Sequence, residues 1–583
     1  MVNTPGCHIP IAMVDYEKHV SNTTNNKNEM CGKRAVFIRK YDKDKVIVRI
    51  KSAVLKKYSK LKIHSVHTQC CYKFIIDTID IIIFHDRFRY SNCTDFRDEE
   101  IITLKSDFIN VMCYELDING TSHVIYEDVY AFTKKIEYSK PNEKNCRIKF
   151  NVLILGMDAM SLPRVVKTMP RTIAYLKDDN WLGFRGYHKI GDNSLPNILA
   201  LLTGKNMTSI IEQCFASMDD CNYLLIWSAF KDAGYVTAYG EENLKLANTF
   251  TKEYKFLKNP TDHYMQPFYL TDERNPRNRS LCTGKISSGQ QLLDYARDFA
   301  STYRRDSFFG FFWLNSFSYD EKSRPEDADK LIENFLNQLT YTGIMTNTFV
   351  IFLSDHGLRF GRSRLKAESY YDDRMPMNFM WVPLLFKGKH PYELRAMAIN
   401  QYKLATPYDL YSTLQDIKKI SLCSNSTDPA PEGCPNCHSL FEVIDSNRTC
   451  QDAAINEKWC SCHKLFPLPI QDPIGIKSVN AVVSYMKSMA MTIETQKCWS
   501  CALPSLKKVE RINFYYDEGK VNIYYVVALT ISPGNGTYEA TVLRKNGYTV
   551  IGPLSFISYY RGLGKCALNR RDRLFCVCQQ QQC

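Results

Sequence analysis

The sequence has no run of 18 or more apolar residues, so we expect no helix that spans a membrane. Residues 1–20 lack the basic start and the long apolar core of a secretory signal peptide. Secretion or membrane anchoring would therefore depend on a segment missing from this chain. No internal repeat is present, and a composition of 45% hydrophobic and 23% charged residues excludes a mostly disordered chain, a collagen and a coiled coil.

Cysteine is missing from residues 283–422 but abundant elsewhere, with 22 in the chain and eight within residues 423–501. An even total at this density is typical of disulfides in an oxidising compartment, although two C-x-x-C pairs in this stretch are also typical of zinc sites. Two of the eight N-x-S/T glycosylation sequons, at Asn425 and Asn447, lie inside the cysteine cluster. Glycans there require the secretory pathway, so we favour disulfides and an extracellular or secretory-pathway protein.

The charge balance is modestly basic, with 75 Lys and Arg against 62 Asp and Glu and a formal net charge of +13. This charge is compatible with a surface that binds anionic partners, and it is equally compatible with an ordinary solvated surface. The basic stretch at residues 51–62 is predicted to be an exposed face, which an acidic glycan would suit. Nucleic acid is not expected as a partner, because a zinc ribbon needs reduced cysteines and the sequons argue against them.

Residue patterns divide the chain into four regions. Residues 1–147 are rich in β-branched and aromatic runs and are predicted to form a β-rich, disulfide-bearing module. Residues 148–420 alternate buried strands with helices, which indicates an α/β domain with a mainly parallel sheet flanked by helices. We assign residues 421–505 to a cysteine-rich insertion or cap, and residues 506–583 to a C-terminal β segment with a disulfide-held tail.

Three apolar runs in the α/β region lead into carboxylates, at Asp158, Asp320 and Asp355. Runs of this kind are typical of strands that are buried on both faces of a parallel sheet. Ligands bind at the carboxyl ends of such strands. Asp158, Asp320, Asp355 and His356 are therefore predicted to form a hard-metal site, since carboxylates with imidazole suit zinc or manganese.

Ser194 follows residues 191–193 (Gly-Asp-Asn) and precedes an apolar helical run that Gly204 closes. Serine is a favoured N-cap residue, so a purely structural role explains its position. The alternative is a nucleophile at a helix N-terminus, where free backbone N–H groups favour an incoming anion and a neighbouring metal lowers the hydroxyl pKa. Both interpretations stay open on the residues alone.

The order of four motifs, NVLILGMDAMS, GDNSLPNILALLTG, FFWLNSFSYD and SDHGLRFG, resembles the alkaline phosphatase/sulfatase superfamily. More closely, the chain resembles the secreted or membrane-anchored eukaryotic family catalogued as domain of unknown function 229. The resemblance covers nearly the whole chain, from residues 7–10 through KLATPYDLYSTLQDI (403–417) to the cysteine-rich part. It implies an alkaline-phosphatase-like fold built around a metal site.

The resemblance also implies a role for each site residue. The implied ligands of one or two divalent metals, with zinc expected, are Asp158, Asp320, Asp355 and His356. Ser194 would attack the phosphorus or sulfur of an anionic ester substrate. Asn193 and Lys205 would orient the anionic oxygens, an assignment that rests on their nearness to Ser194 in sequence.

The sequence departs from the superfamily pattern at positions that bear on activity. Tyr319 stands where relatives carry a histidine, and no histidine precedes Asp409 in the TPYDLYSTL segment. Ile198 replaces the arginine that formylglycine formation needs, so an ordinary formylglycine sulfatase is excluded. Two functions stay open. One is a metal-dependent hydrolase or transferase of phosphate, phosphodiester or sulfate esters with a serine nucleophile, and the other is a non-catalytic extracellular binding protein.

Overall fold

The structure is a computed structural model of the 583-residue chain. It describes residues 2–10, 31–59, 68–77, 88–116, 120–137, 148–177, 180–214, 217–242, 249–250, 254–273, 281–319, 323–424, 429–517, 521–559 and 562–583. Asp320, the sequon at Asn425 and the second half of the apolar run at 73–85 lie outside the described residues.

The N-terminal region is built from strands, as its β-branched and aromatic runs predict. Its elements are β1 (Asn3–Thr4), β2 (Cys7–His8), β3 (Val36–Asp42), β4 (Lys45–Ile50), α1 (Ser52–Leu55), β5 (Thr68–Asp77), β6 (Phe88–Tyr90), β7 (Thr94–Phe96), β8 (Ile101–Thr103), β9 (Phe108–Leu116) and β10 (Ser122–Ala131). One sheet has the order β3-β4-β8, and a second has the order β10-β9-β5-β6 with β7 also paired to β5. Both sheets bury one face in a shared core that includes Val36, Val48, Ile109 and Tyr126.

The central sheet has seven strands in the order β12-β19-β18-β11-β17-β13-β14. The strands of this region are β11 (Asn151–Met157), β12 (Trp181–Gly183), β13 (Val236–Glu241), β14 (His263–Tyr264), β15 (Cys282–Thr283), β16 (Ile286–Ser287), β17 (Phe308–Leu314), β18 (Thr348–Leu353) and β19 (Asn378–Trp381). β11 pairs in parallel with both β17 and β18, and of the seven described strands β19 alone runs in the opposite direction to the others. All residues of β11, β17 and β18 are buried, which confirms the mainly parallel sheet expected from continuous apolar runs.

Helices cover both faces of the central sheet. They are α2 (Leu162–Thr168), α3 (Pro170–Leu176), α4 (Ser194–Thr203), α5 (Met207–Gln213), α6 (Ile226–Asp232), α7 (Gln266–Glu273), α8 (Ser288–Thr302), α9 (Glu326–Tyr341), α10 (Ser369–Arg374), α11 (Leu384–Lys389), α12 (Pro391–Asn400) and α13 (Pro407–Ser421). Leu153 and Leu155 of β11 pack with α2, α3, α8 and α9 on one face, whereas Val152 and Ile154 pack with α4, α6 and α13 on the other. The alternation follows from the two-residue period of a strand. Among the described residues, no helix has both the length and the apolar character to cross a bilayer.

The C-terminal region is a five-stranded antiparallel sheet with one helix against it. Its elements are β20 (Phe466–Leu468), α14 (Pro473–Thr492), β21 (Trp499–Cys501), β22 (Ser505–Tyr516), β23 (Ile523–Ser532), β24 (Thr537–Arg544), β25 (Tyr548–Phe556) and β26 (Cys578–Gln580). The sheet order is β20-β22-β23-β24-β25, and α14 buries Val479, Val482 and Met486 against it. The domain boundary at residue 505 stays a prediction, and β20 and α14, which precede it, pack with the strands that follow it.

Disulfides join regions that are distant in sequence, and no cysteine in the described part of the chain is free. The pairs are Cys7–Cys462, Cys31–Cys282, Cys70–Cys113, Cys71–Cys93, Cys214–Cys221, Cys434–Cys437, Cys450–Cys460, Cys498–Cys583, Cys501–Cys576 and Cys566–Cys578. Of the two C-x-x-C motifs, one closes on itself at Cys434 and Cys437, and the other pairs with the chain end. This density of disulfides fits an extracellular protein and confirms the preference for disulfides over zinc.

A buried ionic network fastens the C-terminal sheet to the α/β core. Its members are Lys189, Arg364, Asp373, Arg374, Lys458, Arg511 and Glu539, each no more than 7% exposed. Glu539 of β24 lies 3.3 Å from Arg364 and 3.4 Å from Arg374, and it also pairs with Arg511. Burial alone would raise the pKa of Glu539, but the three guanidinium charges outweigh it and hold that pKa well below its usual range. Glu539 is therefore the carboxylate that neutralises arginines from both sides of the contact.

We expect Glu539→Gln to destabilise the protein by about 3–5 kcal/mol, because it leaves three buried guanidinium groups short of a counter-charge. Chemical denaturation of the full chain measures the loss. The matched control is Glu510→Gln in β22, whose partner Lys508 is 65% exposed, so its loss should stay below about 1 kcal/mol. Equal losses in the two variants would show that the network does not hold the sheet to the core.

Candidate active site

Two adjacent parallel strands deliver three titratable side chains to one point at the carboxyl edge of the central sheet. Asp158 follows β11, and Asp355 and His356 follow β18, its hydrogen-bonded neighbour. His356 Nε2 lies 3.2 Å from Asp355 Oδ2 and 3.7 Å from Asp158 Oδ1. All three residues are at least 97% buried, and their ligand atoms lie within 4.8 Å of one another. The structure therefore brings together three of the four predicted metal ligands.

Hydrogen bonds fix how these three side chains face one another. Asp355 Oδ1 accepts the backbone N–H groups of Ala159 (3.2 Å) and His356 (2.9 Å). Asp355 Oδ2 is buried and has no hydrogen-bond donor within the described residues. His356 Nδ1 lies 2.8 Å from the carbonyl oxygen of Gly357, which can only accept, so Nδ1 carries the proton. The lone pair on Nε2 is thus directed at the two carboxylates.

This arrangement has an excess of negative charge and lone pairs. Burial, and after it the nearby charge of Asp355, raises the pKa of Asp158 well above its usual value. Burial also lowers the pKa of His356, so the imidazole is not poised to neutralise the carboxylates by protonation. A divalent cation would satisfy the bare oxygen of Asp355, the carboxylate of Asp158 and the Nε2 lone pair together. Two carboxylates and one imidazole suit zinc or manganese, so the donor set fits such an ion.

Ser194 is the first residue of α4, and Asn193 is the N-cap. The N-cap interpretation of Ser194 is therefore wrong, because the helix starts at Ser194 itself, one residue earlier than that interpretation requires. Ser194 Oγ lies 3.4 Å from Asp158 Oδ1 and 3.5 Å from His356 Nε2. The hydroxyl thus sits beside the carboxylate and imidazole atoms and at the positive end of a helix.

Local packing holds the Ser194 loop in place. The apolar residues of α4 lie in the core beneath the central sheet, and Gly204 ends the helix with a φ of 65°, the left-handed conformation that glycine adopts at low cost. Asn197 Oδ1 accepts the backbone N–H groups of Ile190 (2.8 Å) and Gly191 (3.1 Å), while its Nδ2 donates to Asn193 O (2.8 Å). Asn197 therefore ties the loop to the helix, a role that no sequence motif revealed.

The other predicted site residues have different placements. Asn193 is exposed beside Ser194, and its side chain makes no capping bond. Lys205 follows the far end of α4, about 15 Å from Ser194 by helix length, and its ammonium pairs with Glu432. Asp320 lies outside the described residues, so its role as a ligand stays a prediction.

Asp409 lies in the segment where the superfamily pattern places another metal ligand. Its carboxylate is bonded to other parts of the chain. Its carboxylate accepts the backbone N–H of Thr406 at 2.7 Å and pairs with Arg448 at 3.0 Å. These contacts close a capping box at the start of α13 and hold the cysteine-rich segment against it. Asp409 therefore has a structural role at the helix start.

Two arginines frame the site, and only one of them follows a recognisable motif. Arg359, three residues after His356, donates to Asp192 O at 3.2 Å and has a side chain that is 20% exposed. Its charge opposes the rise in the pKa of Asp158. Arg164 is buried and donates from Nη1 to Ala159 O and Ser318 O, both at 2.8 Å. It joins the loop after β11 to the loop after β17, a contact that the sequence did not predict.

The family described as "Protein of unknown function (DUF229)" has a model that matches residues 24–510 of this chain. The chain belongs to this family. The match extends from the N-terminal sheets through the central sheet and into β22, so it includes Asp158, Ser194, Asp355 and His356. Among curated proteins there is no significant match.

Solved structures show limited similarity to this DUF229 protein. A protein in the alkaline phosphatase superfamily from Vibrio parahaemolyticus has 14% identity and a TM-score of 0.35, over 70% of this chain and 83% of that one. The lipoteichoic acid synthase LtaP from Listeria monocytogenes has 11% identity and a TM-score of 0.33, over 71% and 88%. The C-terminal periplasmic domain of EcEptC from Escherichia coli, in complex with zinc, has 12% identity and a TM-score of 0.33, over 54% and 100%. Scores this low carry no information about the chemistry of the site.

Gly357 allows the backbone after His356 to pass close to another segment, and a side chain there should disturb the site. A Cβ atom at Gly357 would lie 2.0 Å from Asp372 O. We expect Gly357→Ala to destabilise the protein by about 1–3 kcal/mol, since backbone must shift to relieve the overlap. Gly388 is the control, because a Cβ there meets nothing within 4 Å and alanine favours its helix. Thermal unfolding should show a loss only for Gly357→Ala; an unchanged midpoint would contradict the close approach.

Proposed function

We propose that this protein is a metal-dependent hydrolase or transferase of phosphate, phosphodiester or sulfate esters, with Ser194 as the nucleophile. The observation that carries the proposal is the placement of Ser194 Oγ, 3.4 Å from Asp158 and 3.5 Å from His356, at the N-terminal end of α4. A hydroxyl in this position has a base, a cation site and a helix N-terminus around it. That combination is what nucleophilic attack on an anionic ester requires.

Asp158, Asp355 and His356 would hold the divalent cation, for which zinc or manganese fits the donor set. When bound, such a cation lowers the pKa of the serine hydroxyl and offsets the negative charge of an ester oxygen. The protein prepares these ligands in advance, because Gly357 O fixes the imidazole tautomer and two backbone N–H groups fix Asp355. The same proposal includes Asp320 as a fourth ligand.

The chain's own groups would orient the substrate. The backbone N–H groups at the start of α4 have no side-chain cap, so they are free to bind anionic oxygens beside Ser194. Arg359 carries a charge next to Asp158 on a partly exposed side chain, which places it to bind a further oxygen of the ester. Asn193 is exposed at the same helix start and would contact the substrate there. Lys205 is left out of this set because α4 separates it from Ser194.

A non-catalytic binding protein is the second candidate, and Tyr319 is the residue that favours it. The chain has a phenol where an imidazole would supply another ligand, and Asp409 is bonded to Arg448. The described residues then provide three ligand groups at this point and no second cluster beside them. Such a protein would still bind an anionic ester or an acidic glycan, without turning it over.

We expect Ser194→Ala to reduce turnover of an aryl phosphate, phosphodiester or sulfate ester by at least about 10³-fold, because it removes the attacking oxygen. Steady-state kinetics on the full chain with added zinc or manganese measure the change. Ser488→Ala is the control, since this serine is exposed on α14 and its Oγ donates to Ser484 O. Activity retained in Ser194→Ala would refute the nucleophile, and a parent protein that binds the cation but turns over no ester would favour the second candidate.

Cation binding can be tested without any assay of activity. We expect Asp355→Asn to weaken binding of zinc or manganese by about 100-fold or more, because an amide oxygen lacks the charge of the buried ligand. Isothermal titration calorimetry of the metal-stripped full chain measures the affinity. Asp472→Asn is the matched control, since asparagine also caps a helix and Asp472 caps α14 far from the site. Equal affinities for the parent and Asp355→Asn would remove Asp355 from the metal site.

A further inference from the structure

The three-stranded sheet β3-β4-β8 has one buried face and one exposed face. Val36, Val46, Val48 and Ile102 point into the core of the N-terminal region. The alternate residues point outward, and cross-strand pairing places Phe37 opposite Arg49. The outer face also carries Tyr41, which is 61% exposed.

This outer face combines aromatic rings with cations. Its members, which we call the basic face, are Phe37, Arg39, Tyr41, Lys45, Arg49 and Lys51, all exposed. Lys51 Nζ lies 4.2 Å from the centroid of the Phe37 ring, which fixes the ammonium group on the same side of the sheet. From Phe37 to Tyr41 the face runs about 13 Å along β3. The face therefore offers both apolar rings and positive charges to a ligand.

Positive charge is concentrated around the basic face. Residues 31–59 contain ten Lys or Arg and two Asp, a net of +8, whereas the whole chain has a net charge of +13. The region therefore holds most of the excess charge in about one twentieth of the chain. A local excess of this kind attracts polyanions and increases their rate of association.

Most of these cations have no carboxylate partner among the residues that the structure describes. On the basic face, Arg49 pairs with Glu99 at 2.7 Å. Arg39, Lys45 and Lys51 make no ion pair with any carboxylate in the described parts of the chain, and all three are exposed. The two other cations of this region that do pair, Arg34 and Lys40, are turned towards Asp128 and Asp298 instead of outward. The outward cations are thus available to a ligand.

We propose that the basic face binds an acidic glycan, a polysaccharide that carries sulfate or carboxylate groups. The guanidinium of Arg39 and the ammonium groups of Lys45 and Lys51 bind the acidic groups. The rings of Phe37 and Tyr41 contact the apolar faces of the sugar rings. The face lies on the sheet β3-β4-β8, whereas Ser194 begins α4 beside the seven-stranded sheet, so this binding is independent of the proposed ester chemistry.

Two observations favour a glycan over other polyanions. The disulfide density of the chain fits an extracellular protein, where acidic glycans are abundant and nucleic acid is scarce. The basic face is formed by β-strands, whereas anionic membranes are usually bound by an amphipathic helix or a polybasic segment beside a membrane anchor. Exposed rings beside cations suit a chain of sugar rings that carries acidic groups.

The test is binding of a sulfated heparin dodecasaccharide to the full chain, measured by isothermal titration calorimetry at physiological salt. We expect the triple variant Arg39→Glu/Lys45→Glu/Lys51→Glu to bind at least about tenfold more weakly than the parent, because three attractions become repulsions. The matched control reverses three exposed lysines of the C-terminal region, Lys477→Glu/Lys487→Glu/Lys497→Glu, with the same change in net charge. The control should bind within twofold of the parent.

A second variant tests the aromatic contribution without changing charge. Tyr41→Ser should weaken binding of the dodecasaccharide about threefold or more, but should leave binding of a polyglutamate of equal charge unchanged, because polyglutamate has no sugar rings. Unfolding temperatures equal to that of the parent confirm that the variants fold. Equal losses in both triple variants would overturn the proposal, as would polyglutamate or phosphatidylserine vesicles binding as tightly as the dodecasaccharide.

Discussion

Two carboxylates buried side by side are the constraint on which the centre of this protein depends. Asp158 and Asp355 end adjacent parallel strands, so the sheet forces like charges together where water cannot screen them. Neighbouring groups offset part of this repulsion. Two backbone N–H groups donate to Asp355, and the positive charge of Arg359 lies near Asp158. What remains is a buried cluster of two carboxylates beside an imidazole lone pair. A divalent cation would complete this arrangement, and the nucleophile proposed here is the hydroxyl that faces the same point.

The C-terminal region supports this site even though it supplies none of the proposed ligands. Lys189, two residues before Gly191, pairs with Asp373 at 2.8 Å and lies 4.3 Å from the ring of Trp459. Lys458 Nζ lies 4.3 Å from the centroid of the same ring, so the cysteine-rich segment contacts the stretch of chain that leads into the Ser194 loop. Burial lowers the pKa of both lysines to about 8. They remain mostly charged at neutral pH and add a positive potential close to a site that would receive anions.

The N-terminal region is fixed to the core by different means. Cys31–Cys282 links the two covalently, and Asp107 accepts hydrogen bonds from His263 Nδ1 at 2.7 Å and from Tyr295 at 2.5 Å. These buried contacts leave the opposite side of the N-terminal sheets open to solvent. The basic face and the Ser194 site therefore belong to one covalently joined molecule but use separate surfaces, which would let a polymeric anion be held while a smaller group is processed.

The sequence by itself determined the central strands of the α/β region and their order along the chain. Apolar runs predicted β11, β17 and β18, the glycine at 204 predicted the end of α4, and the motifs singled out Asp158, Ser194, Asp355 and His356. These features are local, because a strand or helix period is written in consecutive residues. Only the structure decided that Asn193 and not Ser194 is the N-cap, that the ammonium of Lys205 pairs with Glu432 and that Asn197 holds the loop. The network around Glu539 could not be predicted from the sequence either, since Arg364 and Glu539 are 175 residues apart. No local pattern encodes which distant charges will be buried together.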